Sequence, residues 1–278
     1  MVEEAKVSDT TRSDEILKNL PLPAERIPVA VYDFQDQTGQ FKESDTTTDY
    51  SSAVTKGGLA VLMNALSDAG RHKWFMVTER GGLKDLIQER QIITTMRNEY
   101  VDPHSPQPLP ALPPLIYAGM MIEGGIIFYD SNVMTGGAAA SYFSIGANTS
   151  YRRDIVTVYL RAVSVSTGEV LTSVTSSKTV FSYGAGANIL HYFSFDRLLE
   201  AEAGFTVNEP SQLAVRQAIE TGLYSLIMEG AIDHLWQFSD PEAGKKAVAE
   251  YIQRRDGKKS MPLGEPGVVV VPPAKSKS

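Results

Sequence analysis

His72, His104, His191 and His234 are the first residues to weigh for metal or acid–base chemistry. They are widely spaced, and no HxxxH pair brings two imidazoles onto one helix face, so the sequence supports no metal site. The chain has no Cys, which excludes thiolate zinc sites, iron–sulfur clusters, disulfides and a cysteine nucleophile. Glu200 and Glu202 alternate along one stretch and could imitate a glycosidase carboxylate pair; two acids on the wet side of a strand is the simpler account. The glycines at 136, 137, 184 and 186 would cradle phosphate only ahead of a helix, and none is expected there. GxGxxG, Walker A, GxSxG and SxxK signatures are all absent. No enzyme activity and no cofactor are expected.

Composition narrows the classes further. Of 278 residues, 42% are apolar and 21% charged, enough chain for a substantial core. Acids outnumber bases 33 to 26, a net charge of −7, whereas a non-specific nucleic-acid binder should be basic. The longest apolar candidate, Leu115–Tyr129, carries Glu123 and three glycines, so no run approaches the ~20 residues of a membrane helix. The first residues, Met-Val-Glu-Glu-Ala-Lys, lack the layout of a signal peptide. A β-barrel stays open, because its strands need only ~9–11 residues each.

The elements follow from periodicity. Ile27–Phe34 reads as a buried strand, Tyr50 to about Gly70 as a helix, Trp74–Thr78 as a strand, and Leu83 to just before Asn98 as a helix. Six prolines between Pro103 and Pro114 predict an exposed extended loop, after which Met120–Tyr129 resumes as a strand. That β-α-β-α-β order argues for an α/β domain over 27–130. Ile155–Val165 and Glu169–Phe181 form a hairpin around Ser166-Thr167-Gly168. Glu209-Pro210 to about Trp236 is the strongest helix, with Pro210 suited to its first turn. After Gly244, eight bases and three acids leave a net of +5, read as one short helix and a solvated basic tail.

Two segments alternate in a way that fits either a half-buried hairpin of a soluble sheet or a wall of a membrane barrel. From Phe181 to Phe195 the odd positions (Phe181, Tyr183, Ala185, Ala187, Ile189, His191, Phe193) are apolar or aromatic, while the even ones are mostly small or polar. After a turn expected near Asp196-Arg197, Leu199, Ala201, Ala203 and Phe205 alternate with Glu200, Glu202, Gly204 and Thr206. Ser131–Leu160 repeats the pattern less cleanly, with Phe143 and Ile145 on one side and Arg152 and Asp154 on the other. Arg153 falls among the apolar positions, which suits only a membrane interface. Four strands alone in lipid would leave unpaired edges, each group costing several kcal/mol. If they span a membrane, each chain supplies part of a shared barrel, and the protein is a ring of copies.

VYDFQDQTGQFK (Val31–Lys42), VTERGGLKDLIQERQII (Val77–Ile93), MIEGGIIFYDSNVMTGGAAASYFSIGANTSY (Met121–Tyr151), VSVSTGEVLTSVTSSKT (Val163–Thr179), LLEAEAGFTVNEP (Leu198–Pro210) and AIETGLYSLIMEGAIDHLW (Ala218–Trp236) resemble, in order and spacing, the curli secretion channel family (CsgG-like). The resemblance spans most of residues 27–236. It implies an α+β fold: a periplasmic α/β domain, anticodon-binding-like, plus two transmembrane β-hairpins. It also implies a nine-fold ring in the outer membrane that passes unfolded curli-type amyloid subunits without ATP. The implied partners are other copies of the chain, those subunits, a periplasmic adaptor, a surface accessory protein and outer-membrane lipid, with no nucleic acid. The alternative is a soluble periplasmic adaptor of the same domain family, without a pore.

On that reading the chain divides into an N-terminal arm (1–26), a periplasmic domain (27–130) with a constriction loop (40–50), a first hairpin (131–160), periplasmic strands (161–180), a second hairpin (181–208), a helix (209–240) and a helix with tail (241–278). The implied constriction residues are Asp49 and Tyr50, aligned with the family's Asn-Phe pair, with Ser44 or Asp45 nearest to its Tyr. Asp49 could instead cap a helix starting near Tyr50. Lumen-facing positions are Arg152, Asp154, Glu200 and Glu202. Lipid-facing ones are Phe143, Ile145, Phe181, Tyr183, Ile189, Phe193 and Phe205. The family's lipid-bearing Cys has no counterpart here, so this chain is expected to be unlipidated, with Met1 a replacement start.

Overall fold

The computed structural model describes residues 10–38, 41–42, 51–52, 57–99, 111–135, 150–184, 190–193 and 210–256. Its first element lies inside the stretch expected to be a plain arm. Arg12–Lys18 forms a helix, α1, capped by Thr11, whose hydroxyl accepts from the Asp14 N–H at 3.0 Å. Asp14 and Glu15 in its first turn and Lys18 in its last complement the helix dipole.

The expected strand Ile27–Phe34 is two strands, β1 (Ile27–Ala30) and β2 (Phe34–Asp36). The break falls where the Asp33 carboxylate accepts from the Phe34 N–H at 2.7 Å, a local bond that competes with the ladder. Two short strands, β3 (Phe41–Lys42) and β4 (Ser51–Ser52), come next, and then α2 (Gly58–Asp68). The helix expected from Tyr50 therefore starts later: Ser51 and Ser52 pair as strand, and Gly57 is the N-cap. β5 (Phe75–Thr78) and α3 (Leu83–Glu99) fall close to expectation. Residues 111–118, the described end of the Pro-rich stretch, have no regular structure. They are tied to α3 and its approach by Arg90 donating to the Pro113 carbonyl at 2.6 Å and Arg80 to that of Ile116 at 3.0 Å.

Three long strands follow: β6 (Met120–Thr135), β7 (Ser150–Ser164) and β8 (Val170–Gly184), with a short β9 (Leu190–Phe193). The sheet order is β5-β1-β6-β7-β8-β9, with β2 also on β6. β1 and β2 run parallel to β6 and the later strands are antiparallel, so the sheet is mixed and the fold α+β. The β7–β8 turn is the expected one: Gly168 sits at φ +74°, and the Ser164 N–H donates to the Glu169 carbonyl at 2.8 Å. The boundaries drawn at 130, 160 and 180 fall within β6, β7 and β8, which run on without a break.

α4 (Pro210–Ile232) packs on β7 and β8 and meets α1 and α2. Val156, Val158, Leu160 and Ala162 of β7, every second residue, are buried with Ala214, Val215, Ala218, Ile219, Leu223 and Leu226 of α4. Ala218 and Gly222 let the helix approach closely, and Ser176 Oγ donates to the Ala218 carbonyl at 2.5 Å. The other side of β7 (Ile155, Thr157, Tyr159) is only half-buried, so this is a two-layer structure. α5 (Pro241–Arg255), capped by Asp240, closes the described chain. Both Trp residues are anchors in the core: Trp74 Nε1 donates to the Pro21 carbonyl and Trp236 Nε1 to that of Ile227, each at 2.9 Å.

Candidate functional site: a stemmed loop and long hairpins

The expected constriction loop has a defined base. Phe41 pairs with Ser52 and Lys42 with Ser51 in an antiparallel two-stranded stem, so Lys42 and Ser51 lie side by side. Ser44, Asp45, Asp49 and Tyr50 lie outside the described residues. The start of α2 at Gly58 removes the alternative in which Asp49 caps that helix. The stem follows β2 directly. Gln37, just past β2, bonds back to the sheet, its N–H donating to the Ile126 carbonyl at 2.8 Å and its side chain to Tyr159 Oη at 3.3 Å.

The β6–β7 pair stays in register up to Thr135 opposite Ser150, with one bulge between Ile126 and Phe128. β7 and β8 pair from Val163–Val170 to Tyr151–Tyr183. Strands of 15 or 16 residues exceed the ~9–11 that a barrel span requires. Beyond β8 the structure departs from the expectation. Phe181 pairs with Phe193 and Gly184 with Leu190, so the chain reverses between 184 and 190, inside the run expected to be one strand; the turn expected near Asp196-Arg197 lies outside the described residues. Alternation from 181 to 195 concealed this, because a reversal after an odd number of residues preserves parity: Phe181 stands opposite Phe193 and Tyr183 opposite His191.

Among the expected pore-wall residues, Asp154 is corrected. It is fully buried, on the same side of β7 as Val156 and Val158, and accepts from Tyr129 Oη at 3.1 Å. Alternation separated the two sides of the strand but could not tell which one the helical layer covers. Arg152 stands opposite Val133 and Ser182 in the ladder. Arg153 pairs with Asp130 at 3.3 Å, its side chain 27% exposed. Phe181, Tyr183 and Phe193 are strand residues; Phe143, Ile145, Ile189, Glu200, Glu202 and Phe205 lie outside the described residues. Among the described residues no helix is long and apolar enough to cross a membrane, which says nothing of a β-barrel.

Long antiparallel strands rising from a two-layer α+β domain, beside a loop on its own stem, define the architecture. The chain belongs to the family described as curli production assembly/transport component CsgG, whose sequence model matches residues 13–255, from the start of α1 to the end of α5. The curli production assembly/transport components CsgG of Citrobacter koseri and of Escherichia coli strain K12 are each 44% identical over 225 residues, covering 81% of this chain and 79% of the relative. Two solved structures are distantly similar. The PelC dodecamer from Paraburkholderia phytofirmans has 12% identity and TM-score 0.30, covering 74% of this chain and 92% of its own. The hypothetical protein CT253 from Chlamydia trachomatis has 11% identity and TM-score 0.36, covering 74% and 96%.

Proposed function

We propose that the chain is one subunit of a ring-shaped outer-membrane channel that passes unfolded curli-type subunits by ATP-independent diffusion. The family match across 13–255 carries this reading. The long strands β6–β8 and the β3–β4 stem support it, the first as barrel staves and the second as the base of a constriction. The main domain lies in the periplasm, and two hairpins per subunit, starting from β6–β7 and β8–β9, close a barrel with those of neighbouring copies, nine by analogy with the family. Closure is what satisfies the strand edges in lipid. Transport of this kind uses no catalytic residue, and a periplasmic adaptor and a surface accessory protein deliver and receive the cargo.

The constriction is assigned to Ser44, Asp45, Asp49 and Tyr50. In a nine-membered ring Asp49 sets nine carboxylates around one narrow collar, where like charges oppose one another's ionisation and draw cations through the low-dielectric mouth. Single-channel recording in asymmetric salt should show cation selectivity that weakens on acidification and disappears in Asp49→Asn. Unchanged selectivity in that variant moves the collar elsewhere in 43–50. A chain that stays monodisperse without detergent overturns the channel reading itself.

A further inference from the structure

The side of the sheet away from α4 changes character along its length, and the ladder register fixes where. Toward the β7–β8 turn its rows are rich in hydroxyls. Tyr159 stands opposite Gly125 and Thr175, and Thr157 opposite Phe128 and Ser177, with the Thr157 and Ser177 hydroxyls 2.7 Å apart. At the far end the rows are aromatic: Tyr151 stands opposite Tyr183, and Phe181 opposite Phe193. An ion pair lies between the two regions. Arg153, opposite Asn132 and Phe181, reaches diagonally to Asp130 at 3.3 Å. Asn132 Nδ2 donates to both Asp130 oxygens, at 2.7 and 2.8 Å.

The pair is loosely made. A charge-assisted bond of good geometry runs ~2.7–2.9 Å, so a contact of 3.3 Å is long. Arg153 Nε is buried and donates to nothing among the described residues. The Arg153 and Asp130 side chains keep 27% and 30% of their surface open. In water such a pair has little consequence. At the edge of hydrocarbon an unmet donor is costly, and the acceptors within reach there are lipid phosphates. We propose that the Asp130–Asn132–Arg153 cluster marks the level at which the periplasmic leaflet meets the protein, and that it binds a phosphoethanolamine headgroup, Arg153 taking the phosphate and Asp130 the ammonium. This rests on the channel reading, with the Phe181 and Tyr183 side of β8 toward lipid.

The level follows from the rows: aromatic residues suit the interfacial belt of a barrel, and hydroxyls beyond it suit water. The headgroup follows from charge. A phosphate matches the guanidinium fork, but it also meets the Asp130 carboxylate, which repels it. Phosphoglycerol brings no cation to offset that repulsion. Phosphocholine brings a cation with no N–H to donate. Phosphoethanolamine carries an ammonium with three donors beside its phosphate, so it satisfies both members of the pair.

Two measurements on the assembled protein test the site. The chain has no Cys, so a single-Cys variant carries one spin label, whose collisions with oxygen or with a water-soluble nickel chelate report lipid or water. In liposomes the label at Thr157→Cys should meet the chelate, and that at Tyr183→Cys should meet oxygen. A Tyr183→Cys label that meets the chelate overturns the channel reading and this site with it. A Thr157→Cys label that meets oxygen overturns the level alone. For the headgroup, protein reconstituted in equal parts of dioleoyl phosphatidylethanolamine, phosphatidylglycerol and phosphatidylcholine is extracted in mild detergent, and its retained phospholipid is identified by mass spectrometry. Phosphatidylethanolamine should be retained over the other two. Arg153→Gln should lower that retention at least ~tenfold, the cost of one charge-assisted hydrogen bond. Asp130→Asn, which keeps the cation and removes the repulsion, should turn the preference to phosphatidylglycerol, and it decides the matter should Arg153→Gln fail to assemble. Wild type that prefers phosphatidylglycerol or retains no phospholipid, undiminished retention in Arg153→Gln, or an unchanged preference in Asp130→Asn overturns the headgroup site while the channel reading stands.

Discussion

Asp154 shows how a single carboxylate is read differently in a strand and in a sheet. Alternation puts it among the water-facing positions of a barrel wall, but α4 covers that side of β7, and Asp154 is sealed in beside Tyr129. A buried carboxylate that loses a donor bears the desolvation cost in full. Tyr129→Phe keeps the ring, which is 1% exposed, and removes the hydroxyl that donates to Asp154. It should cost roughly 1–3 kcal/mol, seen as a lower melting temperature of the detergent-purified protein. A melt identical to wild type would mean that the other contacts of Asp154 suffice. Alternation groups this Asp with Arg152 two positions away, and its burial shows only once the sheet is assembled against its helical layer.

At the scale of elements, length decided what could be read. β6, β7, β8 and α4 each run through 15 or more residues, and each was legible in part: the expected Met120–Tyr129 ends six residues short of β6, Ile155–Val165 starts five residues into β7, and the expected ends of β8 and α4 fall within four residues. α1, with seven residues, and β3 and β4, with two each, are shorter than any window in which a period shows. The reversal between 184 and 190 was invisible for another reason: Ala185, Gly186, Ala187, Asn188 and Ile189 fill it without Pro or charge, and parity runs through unchanged. β2 is the element that ties the missed stem to the legible sheet, and Gly125 sets how close it lies. A Cβ there would stand 2.6 Å from the Gln35 carbonyl oxygen, which is backbone and cannot turn aside. Gly125→Ala should push β2 off β6, cost about 1–3 kcal/mol and disturb the loop base. We expect a lower melting temperature together with altered single-channel conductance. Gly119→Ala, where the new methyl meets nothing within 4 Å, serves as the control and should stay within about 0.5 kcal/mol. Lost stability with unaltered conductance would separate the loop base from β2.

At the scale of the whole molecule, the proposed channel turns on whether the long strands meet lipid and on which side, and β8 offers adjacent positions on which to ask it. Up to Val180 the strand belongs to the helix-covered layer, that residue being 2% exposed opposite Asp154. Phe181 and Ser182 follow, opposite Arg153 and Arg152 of β7, and successive residues of a strand point to opposite sides. If the odd positions face lipid, Phe181→Arg places a guanidinium against the hydrocarbon near its edge. That costs up to ~2–4 kcal/mol at the midplane and less toward the interface, where a long side chain can snorkel. Ser182→Arg, on the lumen side, places the same charge in water beside Arg152 and loses little beyond like-charge repulsion, which salt screens. Membrane recovery of the assembled protein should therefore drop in Phe181→Arg and hold in Ser182→Arg at physiological ionic strength. The reverse order would exchange the two sides of the barrel wall. Equal recovery of both variants would mean that β8 does not enter the membrane at all, and the domain would then stand as the soluble adaptor that its two-layer core could equally support.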